Sequence, residues 1–260
     1  MKTLKILLAV LLVFTIFACQ DDDSPKQMDV KFLLTDAPSS QNFQEVNIEI
    51  VDVYYSVSGE NWVKIPVTPS VYNLLDLTNG LDTLLANIKL DEGTRINQMR
   101  LVLGTNNTIK LEDGTIKNLE TPSAATSGLK INIHQSISTN SGYSVMVDFD
   151  ADRSIVEQGN GEYSLKPVLR AYIVQNTSYI DGNIFPENLM MNVFVVNGND
   201  TVSTLSDPLL NNYFRIHGLY SGIYSLEFRD IITNTIIKDT IVSISGGTNL
   251  SLGTVSLISK

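Results

Sequence analysis

The chain has one cysteine, one tryptophan and two histidines in 260 residues. A single cysteine leaves no disulfide within the chain, so stability must come from packing and sheet hydrogen bonds. The two histidines, His134 and His217, lie far apart, and no His-Glu-x-x-His run occurs. A Gly-x-Ser-x-Gly turn and a phosphate-binding loop are missing too. Metalloprotease, serine hydrolase and nucleotide-dependent chemistry therefore lack their signatures. Positive charge is scarce, with 18 Lys and Arg against 28 Asp and Glu for a net charge of −10. Nucleic acid, whose backbone demands clustered cations, is a poor partner for such a chain. Long apolar runs are also lacking. The longest, Ile6 to Ala18, has 13 residues, about 20 Å as a helix, against the ~30 Å hydrocarbon core of a bilayer.

That short run has a meaning of its own. Lys2 and Lys5 precede it and Cys19 closes it, the layout of a secretory signal peptide spanning residues 1–18. Ile16-Phe17-Ala18-Cys19 resembles the lipobox of bacterial lipoproteins, with isoleucine where leucine is commoner. The resemblance implies cleavage before Cys19 and acylation of its thiol and new amino group. More than one acyl chain, at about 0.8 kcal/mol per buried methylene, gives a stable anchor. The next residues, Gln20, Asp21, Asp22 and Asp23, resemble the acidic export signal of surface lipoproteins. Residues 19–27 are then a lipidated, disordered tether. Cleavage removes two lysines and no acid, leaving 16 basic and 28 acidic residues. A mature charge of −12 would be repelled by anionic headgroups, so membrane contact is expected through lipid alone.

Beyond Met28 the pattern is strands and turns. Val30, Phe32 and Leu34 alternate with other residues, as do Val46, Ile48, Ile50 and Val53, and then Met99, Leu101 and Leu103. This is the period of half-buried strands. Asp113-Gly114 between Ile109–Leu111 and Ile116–Leu119 is a hairpin signal. Leu81, Leu84, Leu85 and Ile88 fall at helical spacing and predict the one short helix. Leu129–Ile133, Tyr143–Ala151 and Tyr163–Val174 read as three further strands. From Ser178 to the end, six or seven more follow in about 80 residues. The fold class is all-β: two tandem β-sandwich domains, 28–176 and 178–260, joined at Asn176-Thr177-Ser178 and expected to touch.

Five stretches occur in one order: Leu34-Thr35-Asp36-Ala37-Pro38, Leu74-Leu75-Asp76-Leu77-Thr78-Asn79-Gly80, Gly128-Leu129-Lys130-Ile131-Asn132, Asp148-Phe149-Asp150-Ala151 and Leu165-Lys166-Pro167-Val168. As an ensemble they resemble the lipoprotein family known as domain of unknown function 4382, over about residues 27–175. The resemblance implies an envelope-attached all-β domain without an established activity. The tail, through Gly182-Asn183-Ile184 and Phe214 to Tyr224, resembles carboxypeptidase-regulatory-like modules of transthyretin-like fold. Those are accessory domains rather than peptidases.

Few residues nominate chemistry. Asp148, Asp150 and Asp152 at period 2 would share one strand face and form a candidate calcium site, since calcium takes six to eight oxygens. The favoured reading of the same acids is a solvated strand face, or a salt bridge to Arg153 or Arg170. An EF-hand counted from Asp148 fails, with Arg153 where glycine and Gly159 where glutamate are needed. Glycosidases need two carboxylates about 5 Å or about 6.5–9.5 Å apart, and nothing nominates such a pair. His134 reads as a polar-face residue and His217 as a turn residue. Tyr54, Tyr55 and Trp62 near a hairpin are a candidate aromatic platform, the alternative being one core ring and one half-exposed ring. Thr83, Thr201 and Thr240 sit in Asp-Thr-Leu, Asp-Thr-Val and Asp-Thr-Ile triplets that resemble an O-glycosylation signal of bacterial envelope proteins.

The expectation is an outer-membrane lipoprotein facing the exterior and acting as a non-enzymatic binding or structural module. Its partners would be the membrane through covalent lipid and an extracellular glycan or envelope protein. An envelope glycan hydrolase or processing factor is the alternative, and a subunit of a surface assembly joined by strand pairing is a third. Intact mass of the protein from its native envelope checks the N-terminus. We expect a chain starting at Cys19 with acyl mass that Cys19→Ser removes. Mass beyond polypeptide and lipid would report sugar on Thr83, Thr201 or Thr240.

Overall fold

A computed structural model describes residues 25–37, 43–122, 127–133, 141–198 and 200–258. Cys19, the acidic run Gln20–Asp23 and His134 lie outside the described residues. Strands dominate, and two separate apolar cores are buried.

The first core runs from Met28 to Ile173 and lies between two sheets. One sheet has four strands: β1 (Gln27–Ala37), β5 (Thr83–Asp91), β10 (Tyr143–Asp150) and β13 (Leu169–Ile173), in the order β13-β10-β1-β5. The other is built on the long β2 (Phe43–Ser56), which pairs with β3 (Val63–Ile65), β4 (Ser70–Asn73), β6 (Gln98–Leu103) and β7 (Thr108–Leu111). It is extended by β8 (Ile116–Glu120), β9 (Leu129–Asn132), β11 (Ile155–Glu157) and β12 (Tyr163–Leu165). The alternating residues on β1, β2 and β6 are the ones that turn inward. Val30, Phe32, Leu34, Val46, Ile48, Val53, Met99 and Leu101 are all fully buried. A register shift between Ile50 and Asp52 explains why Val53 follows Ile50 at an odd interval.

Two expectations are corrected. The helix over Leu81–Ile88 is a strand. β5 pairs antiparallel with β1, with a register shift at Phe32/Leu33. Ala86, Ile88 and Leu90 turn towards the core, whereas Leu81 and Leu84 are exposed. The irregularity in a period of 2 produced a spacing that mimics 3.6. Likewise the span Tyr163–Val174 is two strands, not one. Pro167 cannot donate to a ladder, and around it the chain leaves the second sheet at Leu165 and enters the first at Leu169.

The second core lies between a three-stranded and a four-stranded sheet. The first comprises β14 (Ser178–Phe185), β17 (Tyr213–Leu219) and β20 (Leu250–Ser256), ordered β17-β14-β20. The second comprises β15 (Met191–Asn197), β16 (Asp200–Leu205), β18 (Gly222–Asp230) and β19 (Ile236–Ile244), ordered β16-β15-β18-β19. Phe214 and Phe228 meet edge to face at its centre, with ring centroids 5.6 Å apart.

A single 3-10 turn, Val174–Asn176, separates β13 from β14. With so short a joint the domains press directly together. Gly218 has φ +72° and lies against the Tyr172 ring, so that a Cβ there would come within 2.6 Å of the ring. Gly80, also at positive φ, lies against Arg215 and His217. Thr204 donates its hydroxyl to Asn79 Oδ1 at 3.2 Å. Gly218→Ala combines a left-handed backbone with this clash and is expected to cost about 2–4 kcal/mol. Because ring and glycine belong to different domains, calorimetry should also show the unfolding endotherm broadened or split relative to the parent.

A candidate binding cleft between the two domains

Four of the five family-like stretches converge where the domains meet. β1 runs parallel to β10, so that Thr35 pairs with Asp148 and Ala37 with Asp150. Asp36 Oδ1 accepts the Ala151 N–H at 2.9 Å, tying the first stretch to the fourth. Thr35 donates its hydroxyl to the Leu77 and Leu81 carbonyls, at 3.0 and 2.8 Å, and so holds the second stretch. The Asp150 N–H donates to Val168 O at 3.0 Å, which brings in the fifth. The remaining stretch, Gly128 to Asn132, lies elsewhere, as β9 paired with β6.

The acids here are largely engaged. Asp148 stands directly across from Arg170 on β13, and Arg170 Nε donates to Asp148 Oδ2 at 2.6 Å. Arg170 Nη2 donates to His217 O, at 3.0 Å, in the second domain. Asp150 caps the one-turn helix α1 (Ala151–Ser154) by accepting the Arg153 N–H at 2.9 Å. Its other oxygen lies 3.6 Å from the Arg153 guanidinium. Asp152 sits on α1 rather than on the strand. The expected common face of Asp148, Asp150 and Asp152 is thereby corrected, because the strand ends at Asp150 and the helical turn rotates the third acid off its face. Among the described residues no group of three His, Cys, Asp or Glu is placed to hold a metal ion.

Burial dominates the electrostatics. It pushes the Asp36 carboxyl well above the usual carboxylate range, aided by Asp148, Asp150 and Asp152 and opposed by the Ala151 N–H. Burial likewise raises Asp150 and, helped by the charge of Asp148, the Tyr172 phenol. For Arg170 burial works against the cation, and the pull of Asp148 outweighs it. His217 is pushed down to about 4 by burial and by the neighbouring Arg215 cation. In the second domain Asp181 ties Tyr213 and Arg215 together, at 2.8 and 3.0 Å.

Beside this joint opens a cleft of about 460 Å³. Asp148, Asp150, Arg153 and β13 form one wall. The β15–β16 hairpin, with Asn197 and Thr201, and the turn Gly218–Ser221 form the other. Tyr172 is buried within it, and Tyr220 is 42% exposed. Sequence reasoning missed Asp36, Tyr172 and Tyr220 as site residues and named Arg170 only as one option for pairing the acids. The sequence signal for the first was the recurrence of Asp36 and Asp148 in family-like stretches. The tyrosines carried none, because their position depends on how the domains dock.

Other candidates fall outside the cleft. Tyr55 packs on the first core, while the Tyr54 hydroxyl donates to Asp52 at 3.2 Å, so one ring turns in and the other out. Trp62 is covered by its own cations, with Arg100 4.3 Å and Lys130 5.7 Å from the ring centroid. His217 is no open turn residue, since it lies on β17 and is packed against Tyr179 at 5.2 Å. Thr83 is partly buried in β5 opposite Leu34. Thr201 is exposed at the cleft rim and Thr240 is exposed on β19.

Residues 27–167 match the family described as Domain of unknown function (DUF4382), and the chain belongs to that family. No curated protein matches the chain significantly. Among solved structures the chain is similar to the Bacillus anthracis TIE protein, at 10% identity and a TM-score of 0.26, over 88% of this chain and 34% of that one. It is also similar to BcpA, the major pilin subunit of Bacillus cereus, at 11% identity and a TM-score of 0.23, over 89% and 70% of the two chains. A third is a fimbrial protein from Bacteroides ovatus, at 10% identity and a TM-score of 0.23, over 90% and 51%.

The depressed His217 pKa has a definite sign. Between about pH 6.5 and 4 the unfolded chain binds a proton that the folded chain refuses, so stability falls as pH drops through that window. The raised carboxyl of Asp36 acts oppositely, taking its proton earlier in the folded state. Thermal midpoints recorded from pH 7 to 4 should therefore fall less steeply in His217→Gln than in the parent.

Proposed function

We propose that this chain is an envelope protein held by lipid on Cys19, facing outward from the outer membrane, and that it works as a non-enzymatic binding module. The observation that carries this reading is the joint between the domains. Arg170, Tyr172 and the family-like Asn79-Gly80 turn fix the two sandwiches to each other, and a cleft is left at the seam, as expected of a preformed recognition site. The acids in that seam serve structure: Asp148 holds Arg170, Asp150 caps α1, and Asp36 holds the Ala151 N–H. The signal-like segment, the lipobox-like residues and the acidic run support anchoring and outward export.

Protease treatment of intact cells, with a periplasmic protein as lysis control, tests the placement. The chain should be shaved while the control stays intact. Survival until the outer membrane is opened would overturn the outward orientation. Reporter glycosides test the other half of the reading, and no turnover is expected.

A further inference from the structure

The joint encloses a second and much smaller space, a cavity of about 20 Å³. The first domain contributes Asp36, Asp148 and Tyr172 to its wall, and the second contributes Arg215 and His217. Each of these five side chains has a polar atom closed off from bulk solvent and without a partner among the described residues: Asp36 Oδ2, Asp148 Oδ1, the Tyr172 hydroxyl, Arg215 Nε and His217 Nε2. Nine such atoms occur in all, so more than half of the unmet demand gathers around this one space. Asp36, Asp148 and Tyr172 are 4%, 6% and 3% exposed. Buried groups of this kind cost free energy unless something bonds them.

Size and chemistry narrow what can sit there. A water needs about 10–15 Å³ of polar cavity, whereas small-ligand sites begin near about 300 Å³. The space therefore suits a single small species. Its wall mixes donors with acceptors: Asp148 Oδ1 only accepts, Arg215 Nε only donates, and the Tyr172 phenol does either. The His217 ring, held neutral down to about pH 4, keeps one nitrogen as an acceptor. The stronger charges are already matched, Asp148 by Arg170 at 2.6 Å and Asp181 by Arg215 at 3.0 Å. A metal cation would leave Arg215 Nε unmet and lie beside two guanidinium groups. An anion would face Asp36 and Asp148. Water donates two hydrogen bonds and accepts two, and so answers both kinds of group.

We infer that one internal water occupies this cavity and bridges the two domains, donating to Asp148 and His217 and accepting from Tyr172 and Arg215. It works beside the direct bond from Arg170 to the His217 carbonyl. Asp148, Arg170 and Tyr172 also line the neighbouring cleft, so the bridge helps to set the spacing of the cleft walls. The inference goes beyond the binding reading and stands without it.

A crystal structure of the purified full chain at atomic resolution tests the site directly. The expected result is one ordered oxygen in the cavity, about 2.7–3.2 Å from a polar atom of each domain. A cavity closed by direct bonds among the five side chains would overturn the inference, as would one that holds nothing. A peak with the short contacts of a metal ion, about 2.3–2.6 Å for calcium, would also overturn it. In solution, a shared water couples groups on opposite sides of the joint. The melting-temperature losses of Tyr172→Phe and His217→Leu should therefore fail to add in the double variant. Additive losses would count against the bridge and overturn it. The parental melting temperature should be the same in sodium and potassium salts and after chelation of divalent ions, and a shift tied to one cation would replace water by that ion.

Discussion

Arg170 is asked to do several things at once. It sits in β13, pairs across the sheet with Asp148, and reaches over the domain boundary to the His217 carbonyl. Asp148 is almost wholly buried, its side chain 8% exposed against 34% for Arg170. Without the guanidinium that carboxylate would be an uncompensated buried charge, a loss typically of about 3–5 kcal/mol. The parallel pairing of β1 with β10 brings Asp36 into the same corner, and α1 starts there because Asp150 caps it. The neutralising of Asp148 and the docking of a second domain thus share one cation, while the helical turn starts beside it on the Asp150 cap.

This also explains why so acidic a region is tolerated. Each carboxylate has a local reason to be there: an arginine, a helix N-terminus or a backbone N–H. Like Asp148, Asp36 keeps a second oxygen buried without a partner among the described residues. Burial shifts its carboxyl upward, so it takes up a proton at higher pH than an exposed carboxylate does. The raised phenol of Tyr172 keeps its proton for the same reason and remains a donor.

Much of this fold was legible in the sequence. Alternation in β1, β2 and β6 identified the buried faces, and the Asp113-Gly114 hairpin appeared between β7 and β8. The failures are equally physical. In β5 a register irregularity disguised a strand as a helix, and between Leu165 and Leu169 a change of sheet around Pro167 was read as one continuous strand. At the site, Asp148 and Asp150 were visible, but their arginine partners could be named only as options and the third acid was misplaced. Tyr172 and Tyr220 belong to the cleft through the docking of two domains, a property that no local window encodes.

The direction of β1 has one more consequence. The strand begins at Gln27, just after the proposed tether, and its last residue, Ala37, lines the cleft. Its 11 residues rise about 3.3 Å each, which separates root from cleft by about 35 Å. For a chain rooted at Cys19, as proposed above, that strand sets the cleft at the end of β1 farthest from the anchor.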